Sequence, residues 1–205
     1  MKNISFNEDQ IDALKEFMNI SLGQATSNIA ELLEAFGTMH IPKVYIRDTN
    51  ELKDVMNENV DLDLRYYVVK QLFSGKFGGE CIFVIDGNSA ANLGGHLYDV
   101  QKASDEDIND AVMELTNIAA SSIIGRLTEE LDVDVQFFAP SCSFVDASDI
   151  CDDEYMVQYS KIIVVSTEME FKDKNISGSI FILTKDEAIN SLKELIDKKL
   201  EELYS

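Results

Sequence analysis

Cysteine is scarce and badly placed for cross-linking: the 205 residues hold three, Cys81, Cys142 and Cys151, with no CxxC spacing. An odd count argues against a disulfide framework and for a reducing compartment. Histidine is scarcer still. His40 and His96 stand far apart, in no HxxxH or HExxH pattern, which argues against a zinc hydrolase and gives a histidine-based triad nothing local to build on. Both are expected to be core or surface filler. Long apolar runs are also missing, since 81–85 and 162–165 are strand-sized and far too short for a bilayer. The opening MKNISFNEDQ turns polar at once, without the apolar stretch of a secretory signal, so a cytoplasmic protein is expected. Positive charge is in deficit: 17 Lys+Arg face 38 Asp+Glu, a formal net charge of −21. Such a field repels phosphate backbones and anionic headgroups, making nucleic acid and membrane insertion poor prospects and favouring a basic or metal-carrying partner. The same surplus also serves solubility.

The remaining composition is that of an ordinary globular chain, 45% hydrophobic and 27% charged, long enough for one large or two small domains. Proline is nearly absent, and its two positions are informative. Pro42 and Pro140 lie 98 residues apart. The same offset carries Asp12 onto Asp110, Glu16 onto Glu114, Asn19 onto Asn117 and Ile20 onto Ile118. It also sets 82–85 (Ile-Phe-Val-Ile) on 180–183 (Ile-Phe-Ile-Leu) and Ala90 on Ala188, with no gap. This predicts a single domain made of two repeats, about 1–102 and 103–205, packed around a pseudo-twofold axis.

Each half reads in the same order. Ile11, Leu14, Met18, Leu22, Ala25, Ile29, Leu32 and Phe36 form a helical stripe over 7–36, with Ser5-x-x-Glu8 as a capping box and Gly37 as a stop. Residues 105–131 repeat it through Val112, Thr116, Ala120, Ile123 and Leu127. Strands are expected at 43–48, 62–73, 80–86, 141–146, 157–171 and 177–184, where β-branched and aromatic residues collect. The segments 49–61 and 147–156 are acidic loops or short helices. A short helix opens at Asp86-Gly87-Asn88, and a longer one at Thr184-x-x-Glu187 runs to about Tyr204. Strands outside a strict βαβ alternation predict an α+β class: two α-β-β-β-α halves, a largely antiparallel sheet, and two long helices outside it.

At 100° per residue, Leu14, Met18, Leu22 and Ala25 gather on one side of the first helix, and Asp12, Glu16, Asn19 and Gly23 on the other. Asp110, Glu114, Asn117 and Ser121 do the same on the second. A polar face needs no special reason, but Asn is a poor helix former, and its appearance at both places suggests that the amide is wanted. A carboxylate suits a lysine of a partner. An uncharged carboxamide offers a donor and an acceptor, and approaches a phosphoryl group without anion–anion repulsion. Holding a water in line with phosphorus is the work left to a protein once a metal already neutralises the phosphoryl charge.

At these residues the sequence resembles the CheC/CheX/FliY phosphatases of bacterial chemotaxis, which dephosphorylate the response regulator CheY. Their signature, Asp/Ser-x3-Glu-x2-Asn-x22-Pro, is matched at every spacing by Asp12, Glu16, Asn19 and Pro42, and again by Asp110, Glu114, Asn117 and Pro140. In length and halves the chain is similar to CheC, whereas CheX is shorter, single-motif and dimeric, and FliY-like proteins add a flagellar switch domain. The resemblance implies that Glu16 and Glu114 anchor the active-site lysine of phosphorylated CheY while Asn19 and Asn117 orient the attacking water. It implies no cofactor of the chain's own, with Mg²⁺ supplied by the receiver, a monomeric state, and the receptor deamidase CheD as a further partner. An adaptor that binds CheD or phosphorylated CheY without useful catalysis is the alternative, with a flagellar motor component behind it.

Overall fold

The computed structural model describes residues 6–48, 51–58, 60–150 and 161–204. In chain order these form α1 (Glu8–Leu32), β1 (Thr38–Met39), β2 (Lys43–Asp48), α2 (Leu52–Asn57), β3 (Arg65–Gly75), β4 (Gly79–Asp86), α3 (Gly87–Leu97), α4 (Asp105–Glu130), β5 (Val135–Phe137), β6 (Ser141–Asp146), β7 (Lys161–Phe171), β8 (Ile176–Lys185) and α5 (Asp186–Tyr204). The class is α+β. All pairings are antiparallel, in the order β1-β7-β8-β4-β3-β5, with β2 continuing along β7 beyond β1 and β6 along β3 beyond β5.

The sheet has two covered faces. On one, α1 and α4 pack against each other, flanked by α5 and α3, over Val69, Phe83, Val165 and Ile180. On the other, Leu52, Val55 and Met56 of α2, with Ala147 and Ile150, cover Val68, Ile82, Val84 and Phe181. Each fully buried aliphatic side chain in these layers contributes roughly 1.5–3 kcal/mol. No helix among the described residues is long and apolar enough to cross a membrane.

The two long helices bury matching positions: Leu14, Met18, Leu22, Ala25 and Ile29 in α1, and Val112, Thr116, Ala120, Ile123 and Leu127, each 98 residues later, in α4. They also end alike. Leu33 and Leu131 cap them, and Glu34 and Asp132 follow at φ 44° and 54°. The expected stop at Gly37 is therefore wrong. That glycine is required by packing instead, because a Cβ there would lie 2.1 Å from the Phe171 ring. Phe36, placed on the apolar stripe by periodicity, lies past the helix end and is 92% exposed. Ser5 lies outside the described residues, and the capping box of α1 is Asn7 with Gln10. Thr184 remains in β8, so the start of α5 falls at Asp186.

One further expectation fails. The ungapped offset of 98 would place Ile82 and Ile180 alike, yet Ile82 faces the α2 side and Ile180 the α1/α4 side. A one-residue slip moves every side chain of a strand to the opposite face. The pairings show how the offset drifts: β7 begins 96 residues after β3 (Lys161, Arg65), and β8 ends 99 residues after β4 (Lys185, Asp86). The connections between strands differ in length, while the buried positions of the motif helices keep the offset of 98. Cys81 is buried and Cys142 half-buried as free thiols, and burial holds the former up at about 12 and the latter at about 11. Cys151, the end of the 147–156 segment and the first residues of the 157–171 strand lie outside the described residues.

Candidate functional site

Both prolines mark the same device. Between Met39 and Lys43 the chain advances four residues while its partner advances three, Met169 to Ser166. Between Phe137 and Ser141 it again takes four against three, Phe73 to Lys70. Each is a β-bulge on an edge strand, where a residue without an N–H donor is tolerated. Pro42 is buried in the first bulge and Pro140 is half-buried in the second. The bulge backbones are held alike: His40 N–H donates to the Glu168 carbonyl (2.9 Å) and Phe138 N–H to the Leu72 carbonyl (3.0 Å).

Asp12, Glu16 and Asn19 on α1, and Asp110, Glu114 and Asn117 on α4, are all exposed, on the faces turned from the core. Around α4 the predicted residues converge. Asp110, Glu114, Asn117 and Pro140 line one open cleft of about 780 Å³, together with Gln71, Tyr98 and Phe138. Around α1 they do not: the hollow at the first bulge, about 490 Å³, is lined by Met39, His40, Ile41 and Lys43 with residues 166–168, and by none of Asp12, Glu16, Asn19 or Pro42.

The immediate environments also differ. Asp12 pairs with Lys15 at 3.3 Å on the surface of α1, an exposed i,i+3 contact of little energetic weight, and Met113 occupies the corresponding place on α4. Tyr98 lines the same cleft as the second motif, and desolvation, reinforced by the carboxylates of Asp110, Asp107 and Glu114, raises its phenol. His40 lies 3.8 Å from carboxylates of both Glu168 and Glu170 at the first bulge.

Sequence reading passed over Gln71. It is 1% exposed, and its Nε2 donates to Asn117 Oδ1 (2.9 Å) and to the Phe138 carbonyl (3.1 Å). Its Oε1 is buried without a hydrogen-bond partner among the described residues. A signal did exist: Tyr67, Val69, Gln71 and Phe73 share one strand parity, and Gln71 is the polar residue on that otherwise apolar face. At the strand offset of 96 its counterpart is Thr167, whose Oγ1 donates to the His40 carbonyl (2.7 Å). The Asn19 amide makes no hydrogen bond to a described residue.

No family model and no curated relative matches the sequence. Solved structures do. FliY from Thermotoga maritima matches with a TM-score of 0.75 at 18% identity, over 96% of this chain and 100% of its own. The FliM middle domain from H. pylori matches at 0.61 and 12% identity, over 93% and 99%. CheX from Borrelia burgdorferi, solved in complex with CheY, BeF3 and Mg²⁺, matches at 0.51 and 14% identity, over 84% and 99%. At these identities the likeness concerns backbone architecture, and it extends over 84–96% of this chain and 99–100% of each of the three. The fold of this chain is that of the CheC/CheX/FliY fold family.

Proposed function

We propose that this protein is a phosphatase of chemotaxis signalling that hydrolyses the aspartyl phosphate of a CheY-type receiver. The observation that carries the reading is the exposure of a Glu-x-x-Asn pair on the outer face of each long helix, in a fold shared with a CheX solved bound to CheY. A rigid helix can insert its amide into another protein's site only if the side chain reaches the surface, and Asn19 and Asn117 are both exposed.

In this reading Glu16 or Glu114 pairs with the receiver's lysine and sets the register of docking. The neighbouring Asn, one turn along, orients a water in line with phosphorus. The water oxygen forms a bond to phosphorus as the bond to the aspartyl oxygen breaks, which regenerates the carboxylate and releases inorganic phosphate. In a loose transition state the water needs orientation more than early deprotonation, so an amide suffices where a base is lacking. Mg²⁺ belongs to the phosphorylated receiver and neutralises the phosphoryl oxygens there. The surplus of acidic side chains suits a partner presenting a lysine and a metal. We place the protein in the cytoplasm as a monomer of two repeats, with CheD as a further partner. The decisive assay follows decay of receiver phosphate with Asn19→Ala and Asn117→Ala combined: the acceleration given by the wild type should disappear, and an unchanged rate in the double variant overturns the reading.

The likeness to a FliM middle domain favours a second reading, in which the same fold serves as a binding module without useful catalysis. The same decay assay, run with and without CheD, separates the two, since an adaptor binds phosphorylated receiver and leaves its lifetime unchanged.

A further inference from the structure

The two motifs differ in what stands behind the Asn. Gln71 is buried beneath the second motif, and three observations decide how its amide is oriented. The Phe138 carbonyl, 3.1 Å away, only accepts, so the Gln71 NH2 must face it. The same nitrogen lies 2.9 Å from Asn117 Oδ1, which then accepts the second hydrogen. Turning the Gln71 amide over would set its oxygen against the Phe138 carbonyl. The Phe138 backbone is itself anchored, because its N–H donates to the Leu72 carbonyl of the strand that carries Gln71. A polarised chain results, from bulge carbonyl to Gln71 to Asn117. Its orientation leaves Gln71 Oε1 buried and without a partner among the described residues, a cost that the fold bears at this position.

At the first motif the corresponding residue of β7 is Thr167. Its hydroxyl has one hydrogen, given to the His40 carbonyl at 2.7 Å, so it satisfies the bulge and has nothing left to donate to Asn19.

We propose that Gln71 is a positioning residue for the second motif, fixing the Asn117 carboxamide with its NH2 end outward and one Oδ1 lone pair already engaged. Among the described residues the first motif has no such support, which makes the second the better organised of the two. The role follows from preorganisation: an amide already held in one orientation needs no ordering when the receiver docks. This inference rests on the phosphatase reading for its catalytic consequence, but the ordering of Asn117 stands apart from it.

The experiment uses the full chain and has two readouts. In an Asn19→Ala background, Gln71→Met should lower kcat for receiver-phosphate decay about tenfold with KM little changed, the weight of one lost orienting hydrogen bond. Combined instead with Asn117→Ala, Gln71→Met should add no comparable loss. Where the wild type accelerates decay, an equal fall in both backgrounds, or none in the first, overturns the proposal. The second readout is side-chain amide relaxation by NMR in the wild-type protein, where the Asn117 NH2 should be more ordered than that of Asn19. Equal mobility overturns the proposal whatever the activity. A difference in order without any phosphatase activity would instead uphold Gln71 as the support of Asn117 and reject the enzymatic reading. Should Gln71→Met not fold, Thr167→Gln supplies the converse test: it should raise the order of the Asn19 amide, and an amide left as mobile as before counts against the mechanism.

Discussion

The first and second motifs carry the same four residue types at the same spacings, on helices that bury the same positions and end in the same turn, yet they sit in different surroundings. Around Asn117 the bulge, the helix and the buried Gln71 close on a single cleft walled by Tyr98 and Phe138. Around Asn19 a lysine joins the motif face, and the hollow beside it belongs to the bulge and β7. The lesson is that a motif repeated without change need not give a site repeated without change. Its support comes from a strand distant in sequence, and that strand is free to vary.

Three further tests would break or sharpen this contrast. The largest effect is expected from charge reversal. Glu114→Lys should weaken binding of a BeF3-loaded receiver by about tenfold or more, and Glu16→Lys by only about threefold, because the first motif face already carries a lysine, Lys15, where the second has Met113. Calorimetric titration of each single variant checks this, and equal losses would remove the electrostatic part of the difference. A smaller effect should follow from exchanging the neighbours. Met113→Lys in the second motif should reduce receiver affinity about two- to threefold and make it more sensitive to salt, and Lys15→Met should do the reverse for the first. Affinities that do not respond to either exchange would assign the contrast wholly to the residues beneath the helices.

The smallest effect concerns the helix starts. The capping box of α1 uses the neutral Gln10, whereas that of α4 uses Asp107, whose carboxyl is held below its ordinary 3.8 by hydrogen bonds from the Ser104 side chain and backbone. A depressed carboxyl contributes stability that is present above its unfolded value and lost as pH falls through the folded one. Amide exchange at the start of α4 should therefore rise relative to that of α1 only below about pH 4. A parallel rise in both helices, or a rise at α4 already near neutrality, would contradict the assignment.

Much of this was legible in the residues themselves. The 3.6-residue period placed Leu14, Met18 and Leu22 inside and Glu16 and Asn19 outside without any tertiary information, since a helix face is a local property. β2 and β6 fall on the expected residues because a proline precedes each and β-branched or aromatic residues fill them. Boundaries were harder. The end of α1 is set by Leu33 and a left-handed Glu34, an arrangement that does not need the glycine by which a stop is usually recognised. Gln71 stayed hidden for another reason. At the constant offset of 98 it falls on Met169, an apolar residue that suggests nothing, and only the hydrogen-bond register with the two proline-marked edges shows that Thr167 is its counterpart.

By itself, then, the order of amino acids determined two amphipathic helices, the polar stripe on each, the acidic surface and the proline-marked edges, all of which depend on residues within a few turns of one another. Tertiary structure decided the rest: which strand lies beneath which motif, that among the described residues one Asn is held by a buried amide and the other is not, and that two identical signatures present unequal surfaces. Those outcomes turn on the lengths of connections between strands. A change of one residue there reverses the face of every following side chain, and a change of two brings a different residue to the same place.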